Sequence, residues 1–468
     1  MALAYIPPGV NVEELYSPTI NPLLAASAQV CIIGLAQGYQ KNTVQLLFEP
    51  AGDPVVLTAP TGAVFQKVDT DQFFESMRDV LSPTTGTAGT GQYAEVDDYT
   101  AVLSGDATEI TITAEDGTDL GDDGATVAVT YRFVPEKYYT AARLDSLSAV
   151  EARYGPAFDE VGVATPLTAS CSLAFENGAS TIVVQPLFKV DGEERVQPTA
   201  VEARGIGTWQ DTYHGLRDIE DVNLLIPSFT PDSTDHAAQL AILQTGQDHV
   251  RYMQLQGEYL VVICGEDSVT AAQLRTTAAN LATRGDITAE HTVVVSPTRF
   301  GRALPNGVQV TIGGQYVAAA VGGMIAARPS YQPLTRKTVS GFATIEDTRD
   351  KAAKNADAAA GLMVIETKGG NLQVRHGLTV DTTSTARREL SVVRAKHRMI
   401  ESIRDTVDTQ IIGTVPADGN APMVVKNAVI GVLELLRQHR ELVDYTGVQA
   451  RTLSNDPTTV EVRFNYLP

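Results

Sequence analysis

The chain has 468 residues, 43% apolar and 19% charged, which is long for one domain and too apolar for general disorder. Its formal net charge of −21 disfavours nucleic acid and anionic membranes as partners, because both repel an acidic surface. Three cysteines, Cys31, Cys171 and Cys264, each in apolar sequence, are too few for a disulfide framework and read as buried hydrophobes of a reducing compartment.

In chain order, the first candidate element is a short extended run, Gly9, Val10, Asn11, Val12 and Glu13, fenced by Pro7, Pro8 and Pro18. Proline fixes φ and cannot donate a ladder hydrogen bond, so the run reads as a lone strand with no hairpin partner nearby. The opening residues lack the basic start and apolar core of a signal peptide. "AQVCIIGLAQG" reads as a buried strand. From 42 to 137, short β-rich runs such as "PVVLTAP", "EITITAE" and "ATVAVTYRFV" alternate with turn-rich pieces, the texture of a small β-sandwich or barrel. One of those pieces, "DGTDLGDDG" at 116–124, crowds aspartates but lacks the glutamate that closes an EF-hand, and reads as a solvated turn.

Between 138 and 330, continuous apolar strands ("DVNLLIP", "YLVVICG", "HTVVVSP") alternate with helical stretches. That rhythm predicts a parallel sheet covered on both faces. The most membrane-like run, 312–327, is shorter than the ~20 residues of a span and carries Gln315. Its glycines and alanines predict a tightly packed core helix. Residues 331–468 read as α+β. They hold a hairpin turning at Gly369–Gly370, helices over roughly 384–408 and 421–442, the second with Asn420 and Pro422 at its start, and a terminal strand with Val460, Val462, Phe464 and Tyr466 on one face.

A parallel α/β unit invites an enzyme reading, yet no phosphate-binding loop, dinucleotide fingerprint, G-x-S-x-G elbow, H-E-x-x-H or C-x-x-C occurs. The seven histidines are scattered. No catalytic residue, cofactor or metal ligand is assigned. Triads do assemble from distant residues, so an α/β hydrolase-like enzyme with an irregular site stays as a rival reading.

Two features point to assembly instead. The helix "ARRELSVVRAKHRMIESIR" (386–404) carries six Arg or Lys and two Glu in an otherwise acidic chain. On one continuous wheel, Arg387, Arg394 and Arg398 share a stripe opposite Val392, Val393, Met399, Ile400 and Ile403. That is a basic ridge, either solvated or a dock for an acidic partner. The second feature is a pairing deficit: one hairpin and one terminal strand make a marginal C-terminal sheet with open edges. The strands at the two chain ends, Gly9–Glu13 and 459–466, can fold back or cross to a neighbour's sheet edge.

These residues carry a resemblance. "PPGVNVEE", "AQVCIIGLAQG", "RLDSLSAVEARYGP", "LAFENGASTIVVQPL", "NLLIPSF" and "ARRELSVVRAKHRMIESIRD" resemble, in order and spacing, segments of contractile-tail sheath proteins, the family of myophage tail sheaths and of tailocin and contractile injection system sheaths. The resemblance covers most of 1–40 and 130–468. It implies a multidomain fold: an N-terminal arm (1–20), the start of the sheath core (21–41), an outer β-sandwich insertion (42–137), a subtilisin-like α/β domain without a triad (138–330) and an α+β C-terminal assembly domain with exchanged terminal strands (331–468). It further implies a structural, non-enzymatic subunit that stacks helically with copies of itself around an inner tail tube and contracts to drive the tube through an envelope. Arg387, Arg388, Arg394 and Arg398 would then face the tube. Baseplate and tail terminator proteins would be further partners, the virion tail the location, and the host cytoplasm the place of assembly. The same physics serves an R-type tailocin or another injection system.

Overall fold

The computed structural model describes residues 28–48, 53–68, 72–81, 99–114, 125–219, 221–228, 235–284, 289–346, 349–414, 420–439, 441–454 and 456–467. The run Gly9–Glu13 and the aspartate-rich turn at 116–124 lie outside them.

The first strand, β1 (Val30–Gly34), is buried at every residue. The chain then leaves for a separate β unit: β2 (Gln40–Phe48), β3 (Val55–Thr58), β4 (Ala63–Gln66), β5 (Phe74–Leu81), β6 (Tyr99–Leu103), β7 (Glu109–Ala114) and β8 (Ala125–Pro135). These form two antiparallel sheets, β2-β8-β4 with β5 also on β8, and β3-β7-β6. Phe65, Met77, Val127, Val129 and Tyr131 from the first and Leu57, Tyr99, Ile110 and Ile112 from the second close one shared core. The strands alternate because one face meets this core and the other meets water. The chain enters and leaves through neighbouring strands, with Gln40 opposite Phe133.

It returns through β9 (Ala142–Leu144), α1 (Leu147–Tyr154), α2 (Pro166–Glu176), β10 (Ile182–Pro186), the small hairpin β11 (Lys189–Asp191) and β12 (Glu194–Val196), α3 (Ile206–His214), β13 (Leu224–Ser228), α4 (His236–Leu255), β14 (Val261–Cys264), α5 (Ala271–Ala282) and β15 (Thr292–Ser296). Next come β16 (Arg299–Ala303), β17 (Gln309–Gly313), α6 (Gly314–Ala326), β18 (Thr344–Ile345), α7 (Lys351–Ala359), β19 (Leu362–Lys368) and β20 (Asn371–Val374). One eight-stranded sheet results, in the order β20-β19-β15-β14-β13-β1-β10-β9. Its six inner strands are parallel.

Successive side chains of a strand point to opposite faces. Val30, Ile32, Leu224, Ile226, Ile263 and Val295 therefore meet α2 and α6 on one face. Cys31, Ile33, Leu225, Val262, Cys264 and Val294 meet α3, α4 and α5 on the other. Both faces are dry, which is why these strands read as unbroken apolar runs. Helix α6 is the core helix expected at 312–327, buried along its whole length. Its small residues have a cause: a Cβ at Gly322 would lie 2.3 Å from Ile226 Cδ1, and one at Gly323 would lie 2.1 Å from the Ala174 carbonyl oxygen.

The turn at Gly369–Gly370 forms as expected, with both residues at positive φ, the pattern of a two-residue hairpin loop. The hairpin itself is displaced from its expected place. It belongs to the eight-stranded sheet, through β19 on β15, and not to a sheet of the C-terminal segment.

The remainder is α8 (Thr385–Arg388), α9 (Leu390–Gln410), α10 (Ala421–Gln438), β21 (Asp444–Leu453) and β22 (Asp456–Leu467). Asn420 stands at the N-cap position just before α10, and Pro422 is the second residue of the helix. Helices α9 and α10 and one face of the β21–β22 hairpin share a fourth core around Ile403, Val429, Leu433 and Leu436.

Candidate assembly site

The basic helix is not one helix. Glu389 is extended, with φ −86° and ψ 112°, and it separates α8 from α9. The wheel restarts there, so Arg387 and Arg394 do not share a stripe. The apolar side holds as expected: Val392, Val393, Met399, Ile400 and Ile403 are all buried.

The outward ridge expected of Arg394 does not form. Arg394 is only 6% exposed, and its Nη2 donates to the carbonyls of Ile325, at 3.2 Å, and Arg328, at 3.0 Å. These carbonyls end α6 and begin the following turn, so the guanidinium satisfies helix C-terminal acceptors and complements their negative partial charge. Burial, with Arg328 nearby, lowers its pKa to about 9. Lys396 is buried as well and donates to Glu290 Oε1 at 3.0 Å, with side-chain exposures of 5% and 7%.

Beside this pair the rings of His397 and His291 lie 4.6 Å apart, and Tyr259 is 5.2 Å from His397. Burial, then the charges of His291, Lys396 and Arg394, hold His397 well below the usual histidine range. One turn on, Glu401 accepts from Asn223 Nδ2 at 3.1 Å, and burial pushes its carboxyl up to about 7. Glu290, Asn223 and Tyr259 all precede strands, so α9 lies across the N-terminal ends of the parallel sheet. It fastens the C-terminal helices and hairpin to the body. Sequence separation hid this seam, since Lys396 and Glu290 stand 106 residues apart.

The other expected docking residues are half-buried. Arg387 Nη1 lies 3.7 Å from Asp381 Oδ2, Arg388 Nη2 donates to the Ala358 carbonyl at 2.5 Å, and Arg398 sits beside Glu401 and Glu441.

The terminal strand forms, and it pairs at home. Val460, Val462, Phe464 and Tyr466 pack on the helical core, while β22 runs antiparallel to β21. The sequence reading missed β21, a mostly polar and half-exposed strand, and so overestimated the pairing deficit at this end. Among the described residues this sheet has two strands, which leaves each with an outer edge.

For the enzyme reading, the carboxyl ends of the parallel strands are the place to look. Glu266 is buried there, accepts from Thr277 Oγ1 at 2.8 Å and has a pKa raised to about 7 by burial. Cys264 is fully buried, and burial pushes its thiol up. Among the described residues no three His, Cys, Asp or Glu side chains gather as a metal site, and no helix is long and apolar enough to cross a membrane.

The tail sheath protein of Mycobacterium phage Bxz1 is 28% identical to this chain over 354 residues, 74% of the chain and 57% of that protein. This chain is a homologue of a tail sheath protein. It spans a little over half the length of that relative. No protein-family model matches it. The fold agrees across nearly the whole chain with three solved assemblies. A chain of the six-fold symmetrised anti-feeding prophage baseplate gives a TM-score of 0.55, at 13% identity, covering 99% of this chain and 96% of that one. The contracted anti-feeding prophage helical sheath gives 0.53, at 11% identity and with the same coverages. The contracted PVC sheath complex, an extracellular contractile injection system, gives 0.50 at 13% identity, covering 100% and 94%.

Proposed function

We propose that this chain is a structural subunit of a contractile tail sheath. It polymerises helically around an inner tail tube and contracts to drive the tube through a bacterial envelope. The observation that carries the reading is the 28% identity to a phage tail sheath protein over 74% of the chain. The fold shared over 99% of the chain with the contracted anti-feeding prophage helical sheath supports it.

In this reading the eight-stranded unit is the subtilisin-like body without a triad, and the two-sheet unit is an outer module. The C-terminal helices with β21–β22 are the assembly domain. The open edges of that small sheet take strands from neighbouring copies, and Gly9–Glu13 is the strand that crosses. A head-to-tail contact that does not close on itself propagates as an open helix. Arg387, Arg388 and Arg398 remain the candidate tube contacts. Arg394 does not join them, because its guanidinium is committed to the body. Baseplate and terminator proteins meet the two ends of the array, which is put together in the host cytoplasm and ends in the virion tail.

The test is sedimentation of the purified chain across a concentration series. A sheath subunit passes into a rapidly sedimenting polymer. A discrete small oligomer at every concentration contradicts the reading and favours an enzyme.

A further inference from the structure

The two ends of the eight-stranded sheet carry opposite charge. At the β20 end, α7, the β19–β20 hairpin and the segment before β18 enclose an open groove of about 550 Å³. Arg336, Lys351 and Lys368 line it and are exposed, and none has an ion-pair partner among the described residues. Arg375, also in the groove, pairs with Glu366 Oε2 at 2.7 Å. Among the described residues Glu366 is the one carboxylate of the lining, so the groove is basic within a chain of net charge −21.

Toward the opposite end, β10, next to the edge strand β9, leads after two residues into the β11–β12 hairpin, whose turn is Asp191, Gly192, Glu193 and Glu194, every residue exposed. Six strand positions separate β20 from β10, or about 30 Å at the usual inter-strand spacing. One copy's acidic turn therefore cannot reach its own groove. The acidic turn follows the C-terminal end of β10, and Lys368 of the groove closes the C-terminal end of β19, so the turn and this part of the groove lie along the same edge of the sheet. A second copy set beside the first, end to end, brings turn and groove to the same level.

We propose that the groove of one copy receives the Asp191–Glu194 turn of the next. Like charges at each end oppose the reversed, two-fold arrangement, so the contact is heterologous and repeats without closing. The inference rests on the self-assembly reading above and adds the lateral contact to it.

Cross-linking tests it. A K368C chain is mixed with an E193C chain and treated with a short bismaleimide. Cys31, Cys171 and Cys264 are buried and do not compete. The contact predicts a covalent dimer in the mixture, its loss in high salt, and its absence when T409C replaces K368C. It also predicts loss of the dimer when the E193C chain carries D191K and E194K, with recovery when the K368C chain carries R336E and K351E. Polymer without the cross-link overturns the turn–groove contact and leaves the sheath reading standing. A cross-link without polymer keeps the turn–groove pairing but overturns its open repetition, and with it the sheath reading. Neither product sinks both.

Discussion

Two units are attached to the same body in opposite ways. The outer two-sheet unit hangs from one strand pair, β2 and β8, and closes a core of its own. Its links at the base are modest: Gln40 Nε2 donates to the Arg153 carbonyl at 3.3 Å, and the Gly38 N–H donates to the Tyr138 hydroxyl at 2.9 Å. The C-terminal unit is fastened by α9, which drives Arg394, Lys396 and His397 into the end of the parallel sheet. A buried ion pair contributes little net stability, but it fixes geometry, because any shift leaves a buried charge uncompensated. The first attachment is a short strand pair with few polar links, and the second is a buried seam of paired charges and helix contacts.

That contrast breaks most easily at Lys396. K396A leaves Glu290 buried without its cation, for an expected loss of about 3–5 kcal/mol. In calorimetry the body and the C-terminal unit should destabilise together. Loss of less than about 1 kcal/mol would mean that water already reaches the pair.

The outer unit should answer differently. I112A empties part of a core that Ile112 fills at 0% exposure, for about 2–5 kcal/mol. The loss should appear in a separate, earlier transition, with the body's own unchanged. A common shift of both would show that the two units unfold as one.

The seam also titrates. Glu401 has a folded pKa near 7 against an ordinary 4.5, so between those values the folded chain keeps a proton that the unfolded chain releases. Its stabilising effect is fully present below the lower value and is lost as pH rises through the upper one. His397 runs the other way: held below 6.5, it costs stability as pH falls under that value. E401Q, which can still accept from Asn223, should therefore gain on the parent chain as pH rises from about 5 to 8, by ~1–2 kcal/mol. An advantage that does not change with pH would place Glu401 in solvent.

Deleting residues 42–137 and joining 41 to 138 should have the smallest effect on the body. Neighbouring strands already bring the ends of the deletion together, and β1 stays in the sheet. The expected result is an unchanged body melt and retained polymerisation. A folded variant that stays monomeric would place the outer unit in the lattice.

Much of the body was legible. β1, β13, β14 and β15 are continuous apolar runs because both sheet faces are dry, and α6 shows its burial in glycine and alanine. Gly369–Gly370 marked the hairpin, though not its partner, since β15 lies about 70 residues earlier and nothing local encodes that pairing. The seam was illegible for the same reason, and it misled as well. A basic helix reads as solvent-facing, and only the carbonyls of Ile325 and Arg328 and the carboxylate of Glu290 explain why it turns inward. The break at Glu389 carries no proline or glycine to announce it. β21 escaped because its exposed face is polar and its other face only half-buried.

The central claim, a subunit that builds an open helical array, is tested most directly by electron microscopy of the purified chain at concentrations where it sediments. Long hollow tubes with a helical repeat are the predicted result, and removal of residues 1–18 should abolish them while leaving circular dichroism and the melt unchanged. Discrete closed particles or monomers from the intact chain at every concentration would contradict the claim.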